Sequence, residues 1–485
     1  MINLKISNVK KNKISPYLYM QFMEPLSVTD SSVDAAWDFV EEDWFPSVID
    51  KVRELAPTMV RFGGCFASYY HWREAVGPMD KRTPMINYAW SGIYNNRVGT
   101  HEFIDFCKRV GSEPMIVANM ESEGLRSWSY PKRGGVRLGT ADEAAEWVDY
   151  CNNPYNAERI ANGSEEPFSV KYWQIGNETA YNTVSYNGFR EYGFSAEQCY
   201  ETSCRFAAAM RERDPSIKII GWGDAQRRDG DSWGRLMSRA EGIDILAFHH
   251  HFDSGLPDSP LFGTEYRRDV DKTWHHLLNA YKSLERRVGE MREIAGDKRL
   301  AMTEGHFIIP GRNRNEVLSS WGAGVAYARC LNVIMRNSDI IDIATMADFF
   351  GNVWQVNAIM IPAPIRAGVP YLQPVGAVMS LFRHHQGEWA TDISYSGSVD
   401  ATASVSGNTY FVHIANTDMN YPQEINLDVE DRKITSARVY YIAERADTEI
   451  TPDNTDVFAV REMKIDGCRL TLPAAAVAAI EIKVE

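Results

Sequence analysis

Apolar positions along this chain recur with two alternating periods. Short runs of β-branched and aromatic residues are each followed by a longer stretch in which apolar residues return every three or four positions. The runs at 17–23 (YLYMQFM), 58–62 (TMVRF), 114–120 (PMIVANM), 169–178 (SVKYWQIGNE), 217–222 (IKIIGW), 243–248 (IDILAF), 299–303 (RLAMT) and 341–346 (IDIATM) predict strands ending near Glu24, Phe62, Asn119, Gly176, Gly223, His249, Glu304 and Ala347. Between them, residues 45–55, 100–110, 142–150, 195–213, 271–294 (one or two helices), 321–335 and 371–385 read as helical. In the first of these Val48, Ile49, Val52 and Leu55 form the apolar stripe, and Pro57 closes it. Eight strands alternating with helices predict an α/β fold, a parallel (β/α)8 TIM barrel, with its polar residues gathered just past the C-terminal ends of the strands.

From about Asp392 the period changes to short alternating runs separated by Gly, Asn and Asp, among them TYFVHIAN, SARVYYIA and VAAIEIKVE. These predict a small C-terminal antiparallel β-sandwich, jelly-roll-like, and the orphan strand MINLKI at residues 1–6 is expected to join it. The expected organisation is therefore an N-terminal strand within 1–16, a barrel over 17–390 and a sandwich over 391–485.

Composition changes this picture little. The formal net charge of -14 opposes a phosphate backbone, and the basic pairs Arg227-Arg228 and Arg286-Arg287 sit among acids as solvated faces, so no nucleic-acid partner is expected. The seven cysteines contain no C-x-x-C pair, which excludes a disulfide framework or zinc pattern. No 18-residue apolar stretch or signal-length run occurs, so a soluble, cytoplasmic protein without a membrane partner is expected.

Chemistry concentrates at two strand ends. Glu178 follows the fourth strand and Glu304 the seventh, and barrel closure is what can bring them together. One carboxylic acid to protonate a leaving oxygen and one carboxylate to attack an anomeric carbon suit retaining glycoside hydrolysis. Asn177 precedes the acid, and Tyr172, Trp173 and Tyr181 offer a sugar-stacking surface at the same rim. Trp72, Trp90, Tyr94 and Trp128 lie in predicted loops, and Glu121 and Glu123 read as loop charges that reach at most an outer subsite. No metal is expected: neighbours in the run His249 to His251 alternate faces, and no carboxylate or Cys spacing completes a ligand set. Cys65 reads as a buried, inert thiol.

The segments RFGGCF (61–66), YHWREAVGP (70–78), WQIGNE (173–178), AFHHHF (247–252) and MTEG (302–305) together resemble glycoside hydrolase family 51, the α-L-arabinofuranosidases, over most of the chain. That resemblance implies Glu178 as acid/base, Glu304 as nucleophile, and Asn177 on the sugar 2-hydroxyl. It also implies Glu24 on sugar hydroxyls, Arg61 beside the nucleophile, and His249 at the end of strand six. It implies a plant-polysaccharide-derived oligosaccharide as substrate, no cofactor, and a homo-oligomer, often a hexamer or trimer of dimers. Three positions depart from the family pattern and bear on the sugar: Cys65 stands where Asn is usual, His251 where Tyr is usual, and Trp354 near a usual Gln. The TEGHF context, with His306, also differs from the usual EWN-type run. An exo-acting α-L-arabinofuranosidase or related furanosidase is therefore expected. The alternatives are a clan sibling acting on β-glucan, xylan or another pyranoside, and a barrel that binds carbohydrate without catalysis.

Overall fold

The structure is a computed structural model that describes residues 1–120, 139–179, 195–224, 232–252, 261, 264–308, 315–465 and 467–485. Tyr181, Glu121, Glu123, Trp128 and the pair Arg227-Arg228 lie outside the described residues.

The eight expected strands are present. Strand one is Met20–Met23, two Met59–Phe62, three Glu113–Ala118, four Tyr172–Ile175, five Lys218–Trp222, six Ile245–Phe252, seven Arg299–Phe307 and eight Ile341–Ala344. Each pairs in parallel with the next. Tyr17 pairs in parallel with Ile343, and Asp348 with Phe22, which joins the eighth strand back to the first. The helices cover the outer face, so strands such as Tyr172–Ile175 are buried on both sides and read as nearly continuous apolar runs.

Several expectations are corrected. Among the described residues the sheet holds eleven strands rather than eight, because Asp348–Gly351 prolongs strand eight after a break and Asn357–Met360 and Tyr371–Leu372 are added beyond it. The last helix starts at Pro374 instead of residue 371, since Pro is preorganised for a helix's first turn and residues 371–372 are taken up in strand pairing. Strands six and seven do not stop at Phe248 and Thr303. They continue together to Phe252 and Phe307 through a register shift between Phe248 and His249, so Glu304 lies within a strand. Arg287 is not solvated either. It is buried in the helix Tyr281–Ala295 and ion-paired with Asp224, while Arg286 is exposed.

The β-sandwich is built from two sheets. One runs Ile393–Ser394, Ile2–Ile6, Gln423–Val429, Arg469–Leu472, and the other contains Trp389–Thr391, Val399–Ser406, Thr409–Asn416, Val477–Val484, Ile434–Ile442 and Arg461–Ile465. The N-terminal strand joins the first sheet as expected, but it runs parallel to Gln423–Val429, so that sheet is mixed. Its alternation buries Ile2, Leu4 and Ile6 against Val412, Ile414 and Ile480 of the facing sheet.

Where barrel and sandwich meet, His413 lies flat on Phe382, ring centroids 4.1 Å apart. Its Nε2–H donates to the His385 carbonyl at 2.9 Å, and its buried Nδ1 has no hydrogen-bond partner among the described residues. Burial pushes this imidazole down to about 4. The folded state therefore stays neutral while the unfolded chain takes up a proton below the ordinary value of 6.5, and stability is lost as pH falls from there toward 4. Between pH 7 and pH 5 this group is expected to remove on the order of 2 kcal/mol. Thermal melts at the two pH values check it: His413→Gln, which keeps a donor near the Nε2 position, should narrow the gap in Tm, and an unchanged gap would assign the loss elsewhere.

Candidate active site

The barrel interior narrows onto one guanidinium. Arg61, on strand two, is wholly buried; its Nε donates to Gln174 Oε1 at 3.0 Å, Nη2 to Asn177 Oδ1 at 2.5 Å and Nη1 to Glu304 Oε1 at 3.0 Å. Gln174 points inward by the alternation of strand four. Beyond it Gly176 (φ +70°) and Glu178 (φ +55°) turn the chain out of the strand. A left-handed glutamate costs about 1–2 kcal/mol and is held here by its contacts.

Glu178 is buried, with Oε1 2.8 Å from His249 Nδ1 and Oε2 accepting from the Cys65 thiol at 3.7 Å. His249 Nδ1 also lies 3.4 Å from Glu304 Oε2, and its Nε2 is 2.9 Å from Thr303 Oγ1. Burial and the Arg61 charge hold the imidazole well below its usual range, so it is neutral. Its single proton is assigned to Nδ1, facing the two carboxyl groups, and Nε2 accepts from the Thr303 hydroxyl.

Glu24, at the exit of strand one, accepts from Phe66 N–H at 2.7 Å and Trp90 Nε1–H at 2.6 Å, both at Oε1. Trp90 lies in the loop between two short paired strands, Met85–Ile86 and Ile93–Tyr94, and meets Trp354 edge to face at 5.7 Å. The Trp354 loop is tied down by Asp30, which accepts from the backbone N–H groups of Asn352, Val353 and Trp354 and from Asn357 Nδ2.

Gly64 makes room for Glu24. A Cβ there would stand 2.2 Å from Glu24 Oε2, and the backbone φ of +154° is one that side chains disfavour. Gly64→Ala is expected to displace Glu24 and lower kcat/KM about tenfold to a hundredfold while the fold persists. Steady-state kinetics beside a thermal melt check this, and unchanged kinetics would remove Glu24 from the site.

Arg61, Asn177, Glu178, Glu304, His249 and Cys65 thus form one group linked by direct contacts, and Glu24 stands beside it on Phe66 and Trp90. His251 Nε2 is 4.0 Å from Glu304 Oε2, and Trp354 reaches the group through Trp90. Cys65 touches both Glu178 and Asn177, whose Nδ2 donates to the sulfur at 3.6 Å.

The expected stacking surface is corrected. Trp173 faces outward, fully buried against Trp147 with its Nε1–H on the Val170 carbonyl, and Tyr172 sits at the opening end of strand four against Tyr17. Trp72 and Tyr94 are core residues bonded to the carbonyls of Glu143 and Val98. The reasoning against a metal is corrected in part. His250 does alternate away, to Ser283, but donor atoms of Glu178, His249 and Glu304 lie within 4.8 Å of one another. Arg61 already balances Glu304, and the imidazole proton faces both carboxyl groups, so hydrogen bonds account for the trio without a cation. Gln174, Thr303 and Asp30 were not foreseen. Gln174 lay inside the WQIGNE motif, where its inward side chain was the available signal, whereas nothing local marks Asp30.

A family model described as the α-L-arabinofuranosidase 1 domain matches residues 51–258, and one described as the α-L-arabinofuranosidase C-terminal domain matches residues 309–476. The chain is 34% identical over 218 residues to α-L-arabinofuranosidase C of Emericella nidulans, covering 43% of this chain and 39% of that protein. The chain belongs to the family 51 α-L-arabinofuranosidase-like proteins.

A second relative is the intracellular exo-α-(1->5)-L-arabinofuranosidase of Acetivibrio thermocellus, 32% identical over 263 residues, or 52% of this chain and 48% of that one. The chain thus matches less than half the length of these curated relatives. Among solved structures, the Thermotoga maritima α-L-arabinofuranosidase in its arabinose complex superposes with a TM-score of 0.79 over 100% of both chains at 22% identity, a likeness of fold.

In this family member the carboxyl groups are set apart electrostatically. Burial and then the Glu304 and Glu24 charges hold Glu178 well above the usual carboxylate range. Burial also raises Glu304, but Arg61 opposes that rise by charge and hydrogen bond. Glu24, buried and facing Glu304, is pushed up to about 8. A carboxyl group held high by burial, a second whose rise a guanidinium opposes, and a third at the exit of strand one form a site able to transfer a proton and attack a carbon together.

Proposed function

We propose that this chain is a retaining glycoside hydrolase, exo-acting on α-L-arabinofuranosides. The observation that carries the reading is that Glu178 and Glu304 bring carboxyl oxygens within 4.8 Å of each other at the mouth of the barrel. Retaining enzymes hold their carboxyl groups about 5–5.5 Å apart, and inverting ones leave room for a water at about 6.5–9.5 Å. The arabinofuranosidase names of the fungal and Acetivibrio relatives support the sugar, and the latter's name supports the exo action.

In this reading Glu304 attacks the anomeric carbon while Glu178 protonates the departing oxygen. Esterification then removes the Glu304 charge that raises Glu178, so the acid becomes a base able to take a proton from water and release the sugar. Asn177 and Glu24 hold sugar hydroxyls, with Cys65, His249, His251 and Trp354 around them.

A second reading, a clan sibling acting on β-glucan, xylan or another pyranoside, is favoured by one observation. Cys65 bonds Glu178 and Asn177, and His251 faces Glu304, where the family pattern has Asn and Tyr.

Hydrolysis of aryl α-L-arabinofuranoside, aryl xylosides, xylan and cello-oligomers, with the first-formed anomer followed by NMR, tests both. Turnover of the furanoside with retained configuration is expected. A first product of inverted configuration would overturn the mechanism, and preference for the pyranosides would overturn the sugar. A homo-oligomer and a cytoplasmic location complete the proposal, the latter supported by the word intracellular in the Acetivibrio relative's name and by seven cysteines that form no disulfide. Light scattering on the purified chain tests the former.

A further inference from the structure

Strand seven does not end its work at Glu304. By strand alternation His306 faces the same side two residues on, level with His251 of strand six, and their rings stand 4.5 Å apart. Opposite them, Asp348 opens the prolongation of strand eight at the level of Phe22 on strand one. It is buried, 4% exposed, and its Oδ1 accepts no hydrogen bond from any described residue. His306 Nε2 lies 3.6 Å from that oxygen, beyond hydrogen-bond reach.

The other imidazole nitrogen fixes the chemistry. His306 Nδ1 sits 2.9 Å from the Phe307 carbonyl, which only accepts, so Nδ1 carries a proton. In a neutral ring Nε2 is then a bare lone pair turned toward a carboxyl oxygen. Two acceptors face each other unless a proton lies on one of them, and a hydroxyl between them would donate to one and accept from the other. Burial lowers His306, and burial with the Glu304 and Asp30 charges raises Asp348, so the proton belongs to the aspartic acid. An unsatisfied buried carboxyl is costly without a ligand and selective with one.

We infer that His306 and Asp348 form a hydroxyl-binding pair for the sugar that Glu304 attacks, gripping one glycone hydroxyl on the side of the pocket away from Glu178. This rests on the glycosidase reading and assigns a specificity role to two residues outside its acid and nucleophile. Both sit beside Glu304 but leave its Arg61 and His249 contacts intact.

The test is a cycle of substrate and enzyme changes. kcat/KM is measured for 4-nitrophenyl α-L-arabinofuranoside and its 2-, 3- and 5-deoxy analogues with wild type, Asp348→Asn and Asp348→Ala, alongside thermal melts. For one analogue the wild type should lose about 10- to 100-fold. Asp348→Ala should lose a similar factor on the parent substrate and show no further penalty with that analogue, while penalties for the other two stay as in wild type. Asp348→Asn, which still donates, should recover much of the parent activity. Equal penalties for all three analogues in wild type and Asp348→Ala would overturn the pair. If the wild type leaves every arabinofuranoside untouched, the sugar assignment fails instead, and the same cycle on deoxy analogues of the best aryl glycoside decides the pair separately. Should Asp348→Ala not fold, Asp348→Asn against His306→Gln gives the same comparison.

Discussion

Glu304→Ala is expected to lower kcat on the best aryl glycoside by at least about 10⁴-fold, the scale seen when a covalent nucleophile is removed. Truncation also leaves the buried Arg61 guanidinium without its carboxylate partner, so a lower Tm is expected beside the loss of rate. Two further readouts separate a nucleophile from a binding residue. Added azide should restore turnover and yield a glycosyl azide of inverted configuration, since the small anion fits the space left by the carboxylate. The acid Glu178 should also titrate lower in the variant, because the Glu304 charge that raises it has gone. Residual activity within tenfold of wild type would remove Glu304 from the chemistry.

Arg61→Met is expected to have the next largest effect. Arg61 makes hydrogen bonds to Gln174, Asn177 and Glu304 from a position with no solvent exposure, so its removal leaves three buried acceptors without their donor. Breaking a buried pair of this kind costs about 3–5 kcal/mol, and a lower Tm is expected. The kinetic signature is more specific. Without the guanidinium the opposing influence on Glu304 is lost and burial alone raises its carboxyl, so a higher pH is needed to ionise the nucleophile. The acidic limb of kcat/KM should therefore move to higher pH, and kcat/KM at neutral pH should fall about 10²- to 10³-fold. A lower Tm with an unmoved acidic limb would make Arg61 a purely structural residue.

Much of this site was readable from the chain because its central residues stand at the ends of strands, where hydrophobic runs break. Glu24, Asn177 and Glu178 each interrupt an apolar run, and the barrel's closure brings the fourth and seventh strands to one mouth. What the sequence obscured has two physical origins. Polar residues that face the barrel interior read as exits: the histidines of strand six and Glu304 itself break the apolar pattern, although the strands run on beneath them to Phe252 and Phe307. Residues whose meaning depends on distant partners carry no local mark. Trp173 belongs to the same short strand as Gln174, yet one lies in the outer layer against Trp147 and the other on Arg61, a difference set by strand alternation and not by residue type. Asp348 acquires its character only because strand eight resumes beside strand one after a break.

The parallel pairing of Ile2–Ile6 with Gln423–Val429 has a consequence for how the chain reaches this structure. At synthesis rates of about 5–20 residues per second, an early strand waits on the order of tens of seconds before its partner emerges. Through that interval Ile2, Leu4 and Ile6 have neither neighbour nor facing sheet, and closing so large a loop delays the pairing further. The sandwich is thus the last part of the molecule to consolidate. The polar Asn3 and the cationic Lys5 between the apolar residues discourage edge-to-edge association of nascent chains meanwhile.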